Sequence, residues 1–263
     1  MEGFSRHDDW SGGVCFEPLA NLAHELRTPV QVLLGYLDIL REDRLSPGAQ
    51  TTSPHHSTII ERMNANALDL AQTVENLLEF ALAKAGAETT LREEIDVAEF
   101  FGELNEVLNA ANTRPNVALR IKLEDAPRTA TTLRRALRSI VLNLAGNALK
   151  FTTVGAVSIS VARGAEDPEM LEIEIRDTGP GISDDLLASV FEPLVQLSHS
   201  SSRSYRGLGL GLTVVLRNVN NLGGRLQVES MPGVGTCFKV TIPCTRSVPR
   251  VCTLGHTSSN LAY

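Results

Sequence analysis

No apolar run in this 263-residue sequence approaches the roughly 20 residues that a helix needs to cross a bilayer. Nor does a charged start lead into the short apolar stretch of a secretory leader. The expectation is a cytoplasmic protein with no membrane span. Any input it senses would come from a separate sensor protein or from an upstream domain. A basic surplus is lacking as well. Lys and Arg number 24 against 31 Asp and Glu, for a net charge of −7, which disfavours nucleic acid and anionic lipid as partners. Cysteine is scarce, and Cys15, Cys237, Cys244 and Cys252 contain no close Cys-x-x-Cys pair. A zinc framework is thereby disfavoured, and four reduced thiols are expected. Internal repeats are absent. What is present is a hydrophobic fraction of 43%, enough for a real core.

The chain divides by pattern. Residues 1–15 read as a loose leader. From Glu17 to about Arg41, Leu19, Ala23, Leu26, Val30, Leu33, Leu37 and Leu40 alternate spacings of four and three, a heptad seam on one helix. Residues 43–57 carry two prolines and a glycine and are expected to be a loop. A second seam follows in Ile60, Met63, Ala67, Leu70, Val74, Leu77 and Ala81, ending near a capping Gly86. Two helices cannot bury both seams alone, whereas two hairpins paired as a four-helix bundle can. A homodimer follows from packing, with residues 16–86 as its unit. Residues 87–244 then read as an α+β sandwich. Helices are expected near 97–111, over Thr131–Lys150 and over Thr213–Asn221. Strands are expected near 117–123 and over Ala156–Ala162, Leu171–Arg176, Arg225–Ser230 and Thr236–Ile242. Residues 245–263 read as a polar tail.

Five segments of the second region carry chemistry. Asn143 and Asn147 stand four apart on a helix, with Lys150 three further on. Two amides and an ammonium on one face can hold a hydrated metal and polyphosphate oxygens. Asp177-Thr-Gly179-Pro-Gly181 follows a strand directly. Glycines there admit a flat ligand, and the carboxylate can accept from an exocyclic amine. Phe191-Glu-Pro-Leu reads as a loop anchor. Gly207-Leu208-Gly209-Leu210-Gly211 precedes a helix, so its backbone N–H groups can form a nest for phosphates. It lacks the Gly-Lys-Ser/Thr ending of a P-loop. Gly233-Val-Gly235-Thr236-Cys-Phe238 turns into a last strand. Each segment alone has an ordinary structural reading; their order together does not.

Taken in that order, the segments resemble the ATP-binding domain of sensor histidine kinases, a fold of the GHKL or Bergerat type shared with type II topoisomerases and mismatch-repair ATPases. Ala23-His24-Glu25-Leu-Arg27-Thr28-Pro29 resembles the histidine box that the kinases alone carry. The likeness covers about residues 17–243. It implies an ATP-dependent histidine kinase that phosphorylates His24 and passes the phosphoryl group to the receiver domain of a response regulator. Glu25 would hold or deprotonate the second ring nitrogen. Glu25 and Thr28 resemble the pair that relatives use to dephosphorylate that partner. Asn147 would ligate Mg²⁺ with Asn143 helping, Lys150 would contact phosphates, and Phe151 would pack near the base. Asp177 would accept from the adenine amino group, with Thr236 supporting it through water. Gly179 and Gly181 would shape the nucleotide wall, and Gly207 to Gly211, with Leu208 and Leu210 between the glycines, would wrap the phosphates. Residues 183–206 would form a lid from which Arg203 or Arg206 stabilises transition-state charge. ATP and Mg²⁺ are the implied cofactors. Many relatives carry Asp where this chain has Leu133; Thr131 or Thr132 is expected to cap the helix instead. The alternative reading is a non-catalytic dimeric scaffold that binds a response regulator or another kinase.

Overall fold

The computed structural model describes residues 16–45, 54–84, 91–112, 114–187, 189–193 and 209–244. Helix α1 (Phe16–Leu45) and helix α2 (Pro54–Lys84) pack side by side as a hairpin. Both reach further into the expected 43–57 loop than its prolines and glycine suggest. Pro54 opens α2 at the first helical position, where its missing N–H costs nothing. Pro29 lies inside α1. Gly86, the expected cap, lies outside the described residues. Along the seams, Leu26, Leu33, Leu40, Met63, Leu70 and Leu77 are half-buried, while Val30, Leu37, Ile60 and Val74 remain exposed.

Strand β1 (Glu93–Asp96) leads into helix α3 (Val97–Ala111). Asp96 caps α3, its carboxylate accepting from the Glu99 N–H at 3.0 Å. Strand β2 (Val117–Leu123) and strand β3 (Thr129–Thr132) follow. The β1–β3 pairing was not expected from the sequence, because strands of four residues carry too little alternation to register. It also corrects the expected helix start. Helix α4 spans Arg134–Phe151 with Leu133 at its N-cap and no side-chain cap bond. Neither threonine caps it: both belong to β3, and Thr132 is fully buried.

The remaining elements are β4 (Gly155–Arg163), β5 (Met170–Asp177), a single turn α5 (Asp184–Leu187), α6 (Gly211–Leu222), β6 (Arg225–Met231) and β7 (Gly235–Pro243). The five-stranded sheet runs β2-β4-β5-β7-β6. Only β2–β4 is parallel, so the sheet is mixed. Period-two alternation turns Val157, Ile159, Val161, Leu171, Ile173, Ile175, Val240 and Ile242 inward against α3, α4 and α6, all fully buried. Ser158, Ser160, Glu172, Glu174 and Lys239 face outward. Lys239 and Glu172 pair across strands at 2.8 Å. Helix α6 ends in a Schellman turn. Gly223 adopts φ 74°, and Gly224 N–H donates to the Val219 carbonyl at 2.9 Å. An α hairpin followed by an α+β sandwich is the fold the sequence pattern predicts. Among the described residues no helix is long and apolar enough to cross a membrane.

Candidate functional site

The last residue of β5 is Asp177, and the strand delivers its carboxylate to the sheet's end. The chain then turns at once, and Gly179 N–H donates back to Asp177 Oδ1 at 2.7 Å. The backbone N–H of Thr236, on the adjacent strand β7, is a second donor. Burial pushes the Asp177 carboxyl above its usual range, and the two backbone donors oppose that shift. A half-buried carboxylate held by backbone alone keeps lone pairs for an outside donor.

Thr236, expected to support Asp177 through water, offers it a backbone amide, and its hydroxyl lies 2.9 Å from Ser230 Oγ. Ser230 also accepts from Ile182 N–H at 2.7 Å and donates to the Gly235 carbonyl at 3.1 Å. This serine ties the Gly179–Gly181 turn to the β6–β7 hairpin, and no sequence motif marked it.

The glycines are required here by close approach. A methyl on Gly179 would stand 2.8 Å from Asp177 Oδ1 and 3.3 Å from Thr152 Oγ1. Gly181, at φ 69°, presses on the Met231 carbonyl, and Gly235, at φ 140°, presses on that of Asp177. Thr152 is fully buried, and its hydroxyl has no partner among the described residues. An orphaned hydroxyl beside a carboxylate and a glycine wall suits the polar edge of a flat base.

Helix α4 supplies the other wall. Its C-terminal carbonyls, at Leu149 and Thr152, accept from the Arg114 guanidinium, the first at 3.2 Å. This cation also complements the helix dipole. Lys150 is half-buried in the last turn, and Phe151 ends the helix 42% exposed. Asn147 is half-buried, and its Nδ2 lies 3.8 Å from where a Gly211 methyl would stand. Asn143 Oδ1 lies 2.9 Å from that same point, so the start of α6 sits on both amides. Gly209 has φ 65° and Leu210 is buried, anchoring the turn into α6. The twelve-residue α6 thus aims its N-terminus, with a positive dipole, at the α4 amides.

Among the described residues no cluster of three His, Cys, Asp or Glu could hold a metal. A cation here would rely on amide oxygens and ligand phosphates, which suits magnesium. Ahead of α6, residues 184–187 and 189–193 fold against the body. Val190 is buried, and Thr213 Oγ1 donates to the Phe191 carbonyl at 3.0 Å. Arg203, Arg206, Gly207 and Leu208 lie outside the described residues. His24 and Glu25 lie on α1, with side chains outside the described set, and Thr28 is half-buried one turn later.

The sequence reading missed a polar contact from the hairpin. Asn76 and Glu79 of α2 reach Asn143, Ser139 and Asn218. Both stand among many other polar residues of α2, so no local spacing marks them.

A family model described as the histidine kinase-, DNA gyrase B- and HSP90-like ATPase matches residues 132–246. A second, the His Kinase A phospho-acceptor domain, matches residues 17–86. The chain is 33% identical over 225 residues to the histidine protein kinase DivJ of Caulobacter vibrioides, covering 86% of this chain and 36% of that one. It is 31% identical over 230 residues to the autoinducer 2 sensor kinase/phosphatase LuxQ of Vibrio harveyi, covering 86% and 26%. The crystal structure of full-length ShkA in complex with AMPPNP superposes with a TM-score of 0.58 at 28% identity, covering 88% of this chain and 46% of that one. The chain therefore spans less than half the length of each of these proteins.

Proposed function

This chain belongs to the sensor histidine kinases, and on that premise we propose that it binds Mg·ATP, phosphorylates its own His24 and hands the phosphoryl group to an aspartate of a response regulator. The observation that carries the reading is the joining of two parts in one chain. One is a histidine-bearing helical hairpin. The other is a half-buried carboxylate, Asp177, packed against glycines beside the C-terminal end of α4, the helix that carries the amides Asn143 and Asn147.

In this reading residues 16–86 dimerise and carry the phosphoryl group, residues 87–244 bind ATP, and residues 1–15 and 245–263 are a leader and a tail. The exposed seam residues Val30, Leu37, Ile60 and Val74 support a homodimer, since a second hairpin would cover them. The protein works in the cytoplasm.

Asp177 accepts from the adenine amino group, and its backbone donors hold it in place. The Thr152 hydroxyl completes the polar edge of the base recess, and Phe151 covers the base. Gly179 and Gly181 let the backbone approach closely. Asn147 holds magnesium with Asn143 beside it, and Lys150 meets the phosphates. Bound magnesium supplies charge neutralisation for the phosphate oxygens. Backbone N–H groups from Gly207 to Gly211 and the α6 dipole wrap the phosphates, and Arg203 or Arg206 balances transition-state charge. His24 attacks the γ-phosphorus through one ring nitrogen while Glu25 takes the proton from the other. A P–N bond forms, the P–O bond to ADP breaks, and ADP leaves. Thr28, one turn beyond His24, orients a water where the same protein dephosphorylates its regulator.

The test is autophosphorylation with labelled Mg·ATP. A phosphoramidate nitrogen protonates and leaves readily, so the label should vanish in mild acid and survive in base. His24→Gln should retain ATP binding and lose the label, and Glu25→Gln should slow labelling about 100-fold. Acid-stable label, or undiminished label on His24→Gln, refutes the assignment.

A further inference from the structure

The hairpin and the ATPase-type domain meet through a polar contact on the very helix that carries the nucleotide amides. Asn76 and Asn143 are both buried, at 8% and 5% exposure, and they exchange two hydrogen bonds. Asn76 Nδ2 donates to Asn143 Oδ1 at 2.9 Å, and Asn143 Nδ2 donates to Asn76 Oδ1 at 3.0 Å. Asn143 Nδ2 also donates to the Ser139 carbonyl at 2.9 Å, while Gln72 Nε2 donates to Asn76 Oδ1 at 3.2 Å. One turn along α2, Glu79 Oε2 accepts from Ser139 Oγ and from Asn218 Nδ2, each at 3.0 Å. Its backbone carbonyl accepts from Arg217 Nη1 at 2.9 Å. Two residues of α2 thus engage α4 and α6 together.

Two features set this contact apart from ordinary packing. Buried amides that trade both bonds are matched in donor, acceptor and direction, and separation leaves each to be rehydrated. The contact also stands at a particular height. Asn76 lies 22 residues into α2 from Pro54, and His24 lies 21 residues back along α1 from Leu45. At equal rise per residue the two stand level across the hairpin. While Asn143 is covered in this way its oxygen has no room for a hydrated cation or a phosphate, although Asn147, one turn on, remains half-open.

We infer that Asn76 and Glu79 form a polar latch that holds the ATPase-type domain on the hairpin with Asn143 engaged, so that Asn143 must leave the latch before it can serve a metal–nucleotide complex. The inference rests on the nucleotide reading of the site and adds a competition between the hairpin and the nucleotide for one amide. Asn76 and Glu79 are then positioning residues that act through Asn143 and Ser139.

Calorimetry on the full chain tests it with two ligands, Mg·ATP and adenosine. Asn76→Leu removes both direct bonds and should lower the Mg·ATP Kd about fivefold to 150-fold, the span expected for the net worth of two hydrogen bonds. The adenosine Kd should stay put, because Asp177 and the glycine wall are untouched. Glu79→Ala loosens the same contact without touching Asn143 and should shift the Mg·ATP Kd in the same direction. In an Asn143→Ala background, Asn76→Leu should change nothing. An unchanged or weakened Mg·ATP Kd in both variants overturns the latch. So does an equal change for adenosine, or a gain that persists without Asn143. If the unmutated chain binds neither ligand, the nucleotide reading itself falls, and the latch with it.

Discussion

Gly179 and Gly235 flank the Asp177 carboxylate, and an added methyl meets a different kind of neighbour at each. At Gly179 the nearest atom, at 2.8 Å, is the carboxylate oxygen Asp177 Oδ1, the free end of a side chain that can turn away. Turning away breaks the bond from Gly179 N–H, a loss of about 1.5–3 kcal/mol for a charged acceptor. At Gly235 the methyl meets the Asp177 backbone carbonyl, which cannot move without β5, and φ is 140°. The disallowed backbone costs about 1–3 kcal/mol, and forced overlap adds about 1–3 kcal/mol. Gly179→Ala should therefore leave a folded protein with a displaced carboxylate, and Gly235→Ala should remain about 2 kcal/mol less stable than Gly179→Ala. Urea denaturation followed by far-ultraviolet circular dichroism reads stability, and calorimetry with adenosine reads the recess. Adenosine affinity should fall at least about tenfold in Gly179→Ala, the equivalent of one lost charged hydrogen bond. Equal denaturation midpoints for the two variants would refute the close backbone approach. Wild-type adenosine affinity in Gly179→Ala would refute Asp177 as the acceptor.

Arg114 holds the last carbonyls of α4 from outside the helix, so Arg114→Ala should cost about 2–3 kcal/mol by leaving part-buried acceptors without their charged donor; a urea midpoint within error of wild type argues against that cap. The Cys237 thiol is pushed up to about 11 from its ordinary 9.0, chiefly by burial and then by the nearby Glu174. The folded thiol therefore keeps its proton while the unfolded one ionises, and this stabilisation is intact below pH 9 and is lost as pH rises towards 11. Relative to Cys237→Ala, the unmutated chain should lose stability across that window, and a difference independent of pH would contradict the burial argument.

The long elements were legible because their periods are long. Seven seam positions on each hairpin helix, and the alternation of β4, β5 and β7, each repeat often enough to stand out from composition. The sandwich could be read for that reason. The β1–β3 pair could not, since four residues such as Thr129–Thr132 show no period and their pairing partner lies more than 30 residues away. Leu133 at the N-cap was equally opaque, because a threonine before a helix looks like a cap whether or not it belongs to a strand. Asp177 and the glycines were visible as motif letters, but Ser230, Thr152 and Arg114 were not. Their roles come from what the fold places beside them, and no local spacing encodes that. Asn76 and Glu79 belong to the same class, since the relevance of two polar residues on α2 depends on a helix 60 or more residues downstream.

The strand order sets a timetable for a chain leaving the ribosome. β7 is last in sequence, yet it lies inside the sheet between β5 and β6, and it carries the Thr236 amide that holds Asp177. The setting of Asp177 cannot form until residues 235–243 have emerged and inserted. The hairpin, made of neighbours joined by a short connection, needs none of this and can form as soon as residue 84 is free. On the proposed function, a nascent chain would thus have its histidine-bearing helix and the surface for a second copy before its nucleotide site is complete. Removing the final strand would keep it in that state.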